Sequence, residues 1–337
     1  MENNVDMKNK VVCKVARYNN VVNYIVTFFI ILTLNFFLPR LMPGDPLQAI
    51  YGDDALIAMT PELKAELIQR FALDKPLGEQ FVAYLRALFR GDLGYSYYYH
   101  AQVVSVVLGY LPWTLLLSGL ALVLSTLTGF ILGVEAGFRR GQGLDKLLLT
   151  TLMLVNGFPD FFVGILFLLL FSVVWGLFPL GGSLTPYASL KGFDLMLDIL
   201  HHLALPLLTL VVVRCVNIFL LTRSSMVTTL GAGFILTARA KGCKDIRVRY
   251  HHAGRHSLLP VVTAAGLHLT HLITGTLFVE VVFSYPGLGS LLYNALMVRD
   301  YPVIQGVLLI LTAAVLIINL MLDLLYLKVD PRINYAR

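Results

Sequence analysis

The sequence predicts an all-α polytopic membrane protein, on the evidence of its composition and of the spacing of its apolar residues. Hydrophobic residues make up 57% of the 337 positions and charged residues only 14%, a balance far more apolar than that of a soluble domain. The apolar residues also form segments about 17 to 25 residues long, the length that crosses a bilayer as a helix. The chain is therefore expected to contact membrane lipid along most of its length.

Six apolar segments divide the chain into its predicted domains. The first transmembrane helix takes residues 21–39, between a cytoplasmic amino-terminal segment at 1–20 and an extracytoplasmic helical insert at 40–112. A core of five further helices takes residues 113–327, and a cytoplasmic tail takes 328–337. The core crossings are predicted at 113–137, 147–177, 202–221, 258–283 and 303–327.

The charge pattern predicts the orientation and argues against some partners. The net charge is +6, and the basic residues flank apolar segments, with most of them on the side that the positive-inside rule makes cytoplasmic. Both termini are therefore expected in the cytoplasm. No basic patch with interleaved aromatics is present, so no nucleic acid partner is expected. The three cysteines lack a C-x-x-C spacing, and neither a disulfide framework nor a cofactor is expected.

The insert is expected to form a small helical cap on the outer surface. Thr60 can cap a helix that begins with Pro61. A second amphipathic piece presents Phe81 and Leu85 on one face and should end at Gly91. Tyrosines at four positions between 95 and 99 suit either the membrane interface or a substrate contact.

The second core crossing is too long for one span and is interrupted by Asn-Gly-Phe-Pro at 156–159. A broken helix at membrane depth is tolerated where it lines a cavity or is buried in protein. The break therefore marks a candidate translocation path. Asp160 follows it directly and is expected either to attract cations or to pair with Arg214 of the next crossing.

Other ionisable residues inside the crossings are candidates for function because each is costly in lipid. Glu280 lies near the outer end of the fifth crossing and is expected to hold an outer gate. Glu135 has Arg139 one turn later, and a local ion pair is expected there. His268 and His271 share a helix face. They either pack against a neighbouring helix or line the path as a pair that could bind a transition metal such as nickel.

Residues 223–257 form a polar segment between two crossings, with seven Lys and Arg against one acid, Asp245. Such a segment cannot enter lipid and is expected in the cytoplasm, open to a partner. Good helix formers lead to Gly242, and a short basic helix is expected to follow it. The expected contact residues are Thr237, Ala238, Arg239, Ala240, Lys241, Gly242 and Asp245.

This segment resembles the EAA loop by which permease subunits of bacterial ABC importers dock on their ATPases. Ala238, Gly242 and the Leu-Pro pair at 259–260 carry the resemblance, and residues 237–242 are similar to the variant of peptide/nickel-type permeases. The same family is matched in order by LMPGDP at 41–46, RGDLG at 90–94, FSYPGLG at 283–289, RDYP at 299–302 and DPR at 330–332.

The resemblance implies the type I ABC importer permease fold in a bacterial cytoplasmic (inner) membrane. It implies a second homologous permease subunit, two ABC ATPase subunits and an extracytoplasmic substrate-binding protein as partners, with segment 223–257 as the coupling loop. The implied function is alternating-access import of di- or oligopeptides, or of nickel, free or chelated. The sequence has no phosphate-binding or catalytic motif, so ATP hydrolysis is expected on a separate chain and this chain is not expected to be an enzyme. The alternative is a secondary transporter with Asp160, Arg214 and the histidines as a proton relay.

Overall fold

The computed structural model describes residues 22–37, 60–62, 75–96, 98–258, 260–262, 264, 266 and 276–329, with side chains only to residue 322. These residues are helices and their connections, and among them no strand forms beyond a single bridge between Tyr95 and Gln102. The chain divides into two compact units. One combines residues 1–111 with 291–337, and the other is residues 112–290.

The first unit contains α1 (Val22–Phe37) and α2 (Leu77–Phe89). It also holds the start of α3 (Val103–Phe138), most of α9 (Leu288–Met297) and all of α10 (Tyr301–Val329). Phe36 of α1 is fully buried, with its ring 5.0 Å from that of Phe81 on α2. The second amphipathic helix of the insert is thus confirmed by α2, and Gly91 follows its end with a φ of +75°. The first predicted helix of the insert lies largely outside the described residues.

Two sequence motifs meet in this first unit. Ser96 Oγ donates a 2.5 Å hydrogen bond to Asp300 Oδ2, and the backbone N–H of Tyr98 donates to the same oxygen at 3.1 Å. Gly94 lies against Pro302, where an added Cβ would be 3.6 Å from the proline Cβ. The RGDLG and RDYP motifs therefore pack together at the start of α10.

The second unit contains the rest of α3 and then α4 (Gly143–Asn156) and α5 (Asp160–Phe167), which continues as the π-helix Leu168–Val174. Next come α6 (Phe193–Leu230), α7 (Gly233–Ala240) and a second π-helix, Arg247–Gly254. The described part closes with α8 (Leu277–Val282) and the first residues of α9. The predicted break is confirmed, because α4 ends at Asn156 and the chain bends by 103° before α5 begins.

Among the described residues, three helices are long and apolar enough to cross a membrane: α3, α6 and α10, the last counted over Tyr301–Leu322. The bent pair of α4 with α5 and its π-helix gives a fourth if it is one span. The apolar helix α1 is shorter, and most of the predicted crossing at 258–283 lies outside the described residues. The count of six crossings therefore stays a prediction.

Two helices extend beyond the predicted crossings that they contain. Helix α3 begins at Val103, ten residues before the predicted start, and α6 runs from Phe193 to Leu230 instead of 202–221. Pro112 and Pro206 lie inside these helices. A proline removes one backbone hydrogen bond, but membrane helices tolerate it because nearby groups satisfy the freed carbonyl.

A row of glycines lets α3 and α6 approach closely. Gly129, Gly133 and Gly137 recur every four residues of α3 and face α6. A methyl group added at Gly133 would lie 2.5 Å from Cβ of Thr222 and 2.8 Å from the carbonyl oxygen of Phe219. Small residues at this spacing bring helix backbones together in membranes, where dispersion drives packing. This contact holds the carboxyl-terminal halves of α3 and α6 together.

Candidate functional site

The predicted coupling residues form a helix that turns sharply at a glycine. Helix α7 ends at Ala240, and Gly242 follows with a φ of +73°, a left-handed conformation that favours glycine. The N–H of Gly242 donates to the carbonyl oxygen of Arg239 at 2.9 Å, and that of Cys243 donates to Ala238 at 3.2 Å. Two helical pieces joined at Gly242 are thus confirmed, although the second is a π-helix that begins at Arg247.

One face of α7 is buried and the other is exposed. Ala238 and Ile235 are buried, and Ile235 packs in a cluster with Val134 of α3 and Met226 of α6. The remaining predicted contact residues are exposed to solvent: Thr237, Arg239, Ala240, Lys241, Gly242 and Asp245. The segment therefore presents a polar, mostly basic surface that rests on the two longest helices of its unit.

The predicted loop boundary at residue 223 was wrong, because α6 continues through Leu230. Arg223 lies in this helix and pairs with Asp145 of α4 in a two-pronged contact. Its Nε donates to Oδ1 at 2.6 Å, and its Nη2 donates to Oδ2 at 2.9 Å. The backbone N–H of Gly141 donates to the same carboxylate at 2.8 Å. Because Asp145 balances its positive charge, Arg223 can be accommodated within the helix.

Glu135, near the carboxyl-terminal end of α3, is an anchor for the π-helix that follows Gly242. Arg249 Nη1 lies 2.7 Å from both carboxylate oxygens of Glu135, and the Tyr250 hydroxyl donates to Oε1 at 2.7 Å. The predicted pair with Arg139 also exists, at 3.6 Å, but it is the longer contact. The Arg249 guanidinium also stacks over the Phe138 ring, 4.3 Å from its centroid. Burial and then the bond to Glu135 raise the pKa of Tyr250.

The break between α4 and α5 opens onto a polar cavity of about 430 Å³ within the second unit. Asp160, which directly follows the break, and Arg214 of α6 both line it. The structure therefore brings these two path candidates together. No ion pair within 4.0 Å joins the two side chains, and both predicted roles of Asp160, to attract cations or to pair with Arg214, stay predictions. The remaining lining residues come from α3, the break and α6: Leu122, Ser125, Thr126, Asn156, Phe158, Val213, Asn217 and Ile218.

Glu280 lies elsewhere, fully buried at α8 and not among the residues lining this cavity. Its Oε1 accepts hydrogen bonds from the hydroxyls of Thr114 at 2.9 Å and Thr276 at 3.0 Å. Its Oε2 accepts from the backbone N–H groups of Gly289 at 2.7 Å and Ser290 at 3.3 Å. The carboxylate thus satisfies free N–H groups at the start of α9. A role in an outer gate stays a prediction.

His268 and His271 lie outside the described residues, so the structure does not test them as a metal pair. Within the part that it describes, no group of three or more His, Cys, Asp or Glu could hold a metal ion. Sequence reasoning missed Arg249 and Asp145 as partners. Each bonds across 78 or more residues of chain, where no local pattern signals the contact.

Comparison with known proteins decides the family. Residues 125–335 match the family described as "Binding-protein-dependent transport system inner membrane component", and residues 16–118 match its amino-terminal companion. The chain belongs to this family. It is therefore a permease subunit of an ABC importer with the type I fold, a multi-pass inner membrane protein that works with an ATPase and a substrate-binding protein.

Three relatives illustrate the similarity. The di/tripeptide transport system permease protein of Pseudomonas aeruginosa is 36% identical over 327 residues, 93% of this chain and 96% of the relative. The dipeptide transport system permease protein of Escherichia coli is 35% identical over 330 residues, with the same two coverages. A putative peptide permease protein of Brucella suis is 38% identical over 302 residues, 89% of this chain and 93% of the relative.

Proposed function

We propose that this permease moves di- or oligopeptides from the outside of the cytoplasmic membrane to the inside, driven by ATP hydrolysis on separate chains. The observation that carries the substrate class is the similarity to permeases named for dipeptides and di/tripeptides, at 35% and 36% identity over 93% of this chain. Nickel remains an untested prediction for this chain. Nothing observed favours a secondary transporter.

The working complex consists of this chain, a second homologous permease subunit, two ATPase subunits and an extracytoplasmic substrate-binding protein. The ATPase docks on the exposed face of α7 and on the turn at Gly242, and both termini lie in the cytoplasm. The chain itself catalyses no reaction. The exposed basic side chains of Arg239 and Lys241 support this docking face, because lipid would exclude them and a soluble partner can pair with them.

Motion of the ATPase reaches the membrane helices through two charged contacts, Arg249 with Glu135 and Arg223 with Asp145. Arg249 links the π-helix after Gly242 to α3, and Arg223 links α6 to α4. Helix α4 leads directly to the break that lines the polar cavity. Rigid helices joined by charge-assisted bonds can move as units. A pull on the coupling segment therefore widens or narrows the cavity, as alternating access requires.

Uptake in cells tests the substrate class. Cells that lack this chain should take up labelled alanyl-alanine poorly, and a plasmid copy should restore uptake while leaving accumulation of radioactive nickel unchanged. A Gly242→Pro copy that reaches the membrane in equal amount is the matched control and should not restore uptake. Restoration of nickel uptake without peptide uptake would replace the peptide assignment with the metal.

A further inference from the structure

The polar cavity at the break is lined by one acidic and one basic side chain. Asp160 stands at the first residue of α5, and Arg214 projects from α6 to line the same space. The carboxylate is near enough to act electrostatically on the guanidinium, yet the two side chains are not joined by an ion pair or a hydrogen bond. Two opposite charges thus face one space with room between them.

A charge within the membrane is costly unless a partner or water compensates it. A buried charge with a direct partner is already compensated, as Asp145 and Arg223 are here at 2.6 Å and 2.9 Å. Asp160 and Arg214 are not joined in this way. Their separation within a cavity fits a pair that takes a third group between them.

Two neutral side chains in the same cavity add further polar groups. Asn156 and Asn217 both line it, and each carries an amide that can donate and accept hydrogen bonds. The cavity therefore offers a ligand hydrogen-bonding groups besides its two charges.

The geometry points to a binding site within the permease for a short peptide in its zwitterionic form, occupied during transport. Arg214 binds the terminal carboxylate with its planar fork of donors, Asp160 binds the terminal ammonium, and the Asn217 amide binds the peptide group between them. The volume of about 430 Å³ lies in the range of sites for small molecules. A bare cation fits less well, because Arg214 would repel it. This inference rests on the proposed function and gives the permease its own contact with the peptide termini.

Equilibrium dialysis tests it on the purified complex of permeases and ATPases, without the substrate-binding protein. The probes are labelled alanyl-alanine, its carboxyl-terminal amide and its N-acetyl form. We expect Arg214→Gln to weaken binding of alanyl-alanine roughly tenfold or more and to leave binding of the amide nearly unchanged. Asp160→Asn should likewise weaken binding of alanyl-alanine and leave binding of the N-acetyl form nearly unchanged. Arg214→Lys keeps the charge and should retain part of the affinity.

Two controls remove exposed charges that lie outside the cavity, Lys146→Gln and Asp194→Asn, and both should bind all three probes as the wild type does. Equal weakening of the free and blocked peptides by Arg214→Gln would overturn the inference, since the arginine would then act only through packing. Absence of alanyl-alanine binding to a wild-type complex that imports this peptide would also overturn it while leaving the proposed function intact. A wild-type complex that imports no peptide would instead refute the proposed function.

Discussion

Arg249 and Glu135, 114 residues apart in sequence, form a charged contact between the coupling segment and the membrane helix α3. The arginine Nη1 lies 2.7 Å from both carboxylate oxygens. Both side chains are mostly shielded from solvent, at 15% and 21% exposure. Charge-assisted hydrogen bonds of this kind are stronger than neutral ones. The pair is therefore a strong polar link between the coupling segment and a long apolar helix, beside the apolar packing of Ile235 on the same helix.

Arg249→Ala should uncouple ATP hydrolysis from transport. We expect peptide uptake to fall several-fold while ATPase activity of the complex persists, because the π-helix can then move without α3. Arg139→Ala is the matched control. It removes a longer 3.6 Å contact to the same carboxylate from a side chain that is 43% exposed, and such pairs contribute about 0–1 kcal/mol. The measurement is peptide uptake together with ATP hydrolysis in proteoliposomes. Equal effects of Arg249→Ala and Arg139→Ala would contradict a coupling role for the contact between Arg249 and Glu135.

Gly133→Ala should destabilise the protein by about 1–3 kcal/mol, the usual effect of overpacking. The added methyl group would meet Thr222 Cβ at 2.5 Å and the Phe219 carbonyl oxygen at 2.8 Å, and backbone cannot move aside as a flexible side chain can. Gly119→Ala on the same helix has nothing within 4 Å of the new methyl group and should be neutral or slightly stabilising. Thermal unfolding in detergent compares the two. A Gly133→Ala protein as stable as Gly119→Ala would show that the helices are not held at this distance.

Asp145→Asn should destabilise the contact between α4 and α6 by about 3–5 kcal/mol, the effect of removing one partner of a buried ion pair. The carboxylate is only 2% exposed and accepts three hydrogen bonds. Arg223→Lys should not be neutral, because an ammonium cannot reproduce the two-pronged contact. Lys146→Gln, one residue away and exposed, is the control. A wild-type melting temperature for Asp145→Asn would refute a structural role for the pair.

Glu280→Gln should destabilise the protein by about 1–3 kcal/mol, since an amide N–H group would face donors where the carboxylate now accepts. Four donors converge on this side chain, from Thr114, Thr276, Gly289 and Ser290. Glu79→Gln on the exposed face of α2 should change nothing. Unfolding in detergent is the measurement, and a fully stable Glu280→Gln protein with lost uptake would favour the predicted gate over a structural role.

Local sequence signals predicted the break at 156–159 and the glycine turn at residue 242, because proline and positive-φ glycine act on their own neighbours. The apolar segment that begins at residue 113 did not show that α3 starts ten residues earlier, with Pro112 accommodated inside the helix. The glycines at 129, 133 and 137 carried a readable spacing of four that was overlooked. The partner of Glu135 could not be read, since contacts across 114 residues depend on how helices pack.

In the proposed complex, this chain and the second permease subunit together form the passage of an ATP-driven peptide importer. The measurement that tests it most directly is uptake of labelled alanyl-alanine into proteoliposomes that hold the complete complex with its substrate-binding protein. We predict accumulation that requires ATP, the ATPase subunits and the binding protein together, and that is absent when ATP is replaced by a proton or sodium gradient. Accumulation driven by an ion gradient in vesicles that hold this permease without its ATPases would contradict the account.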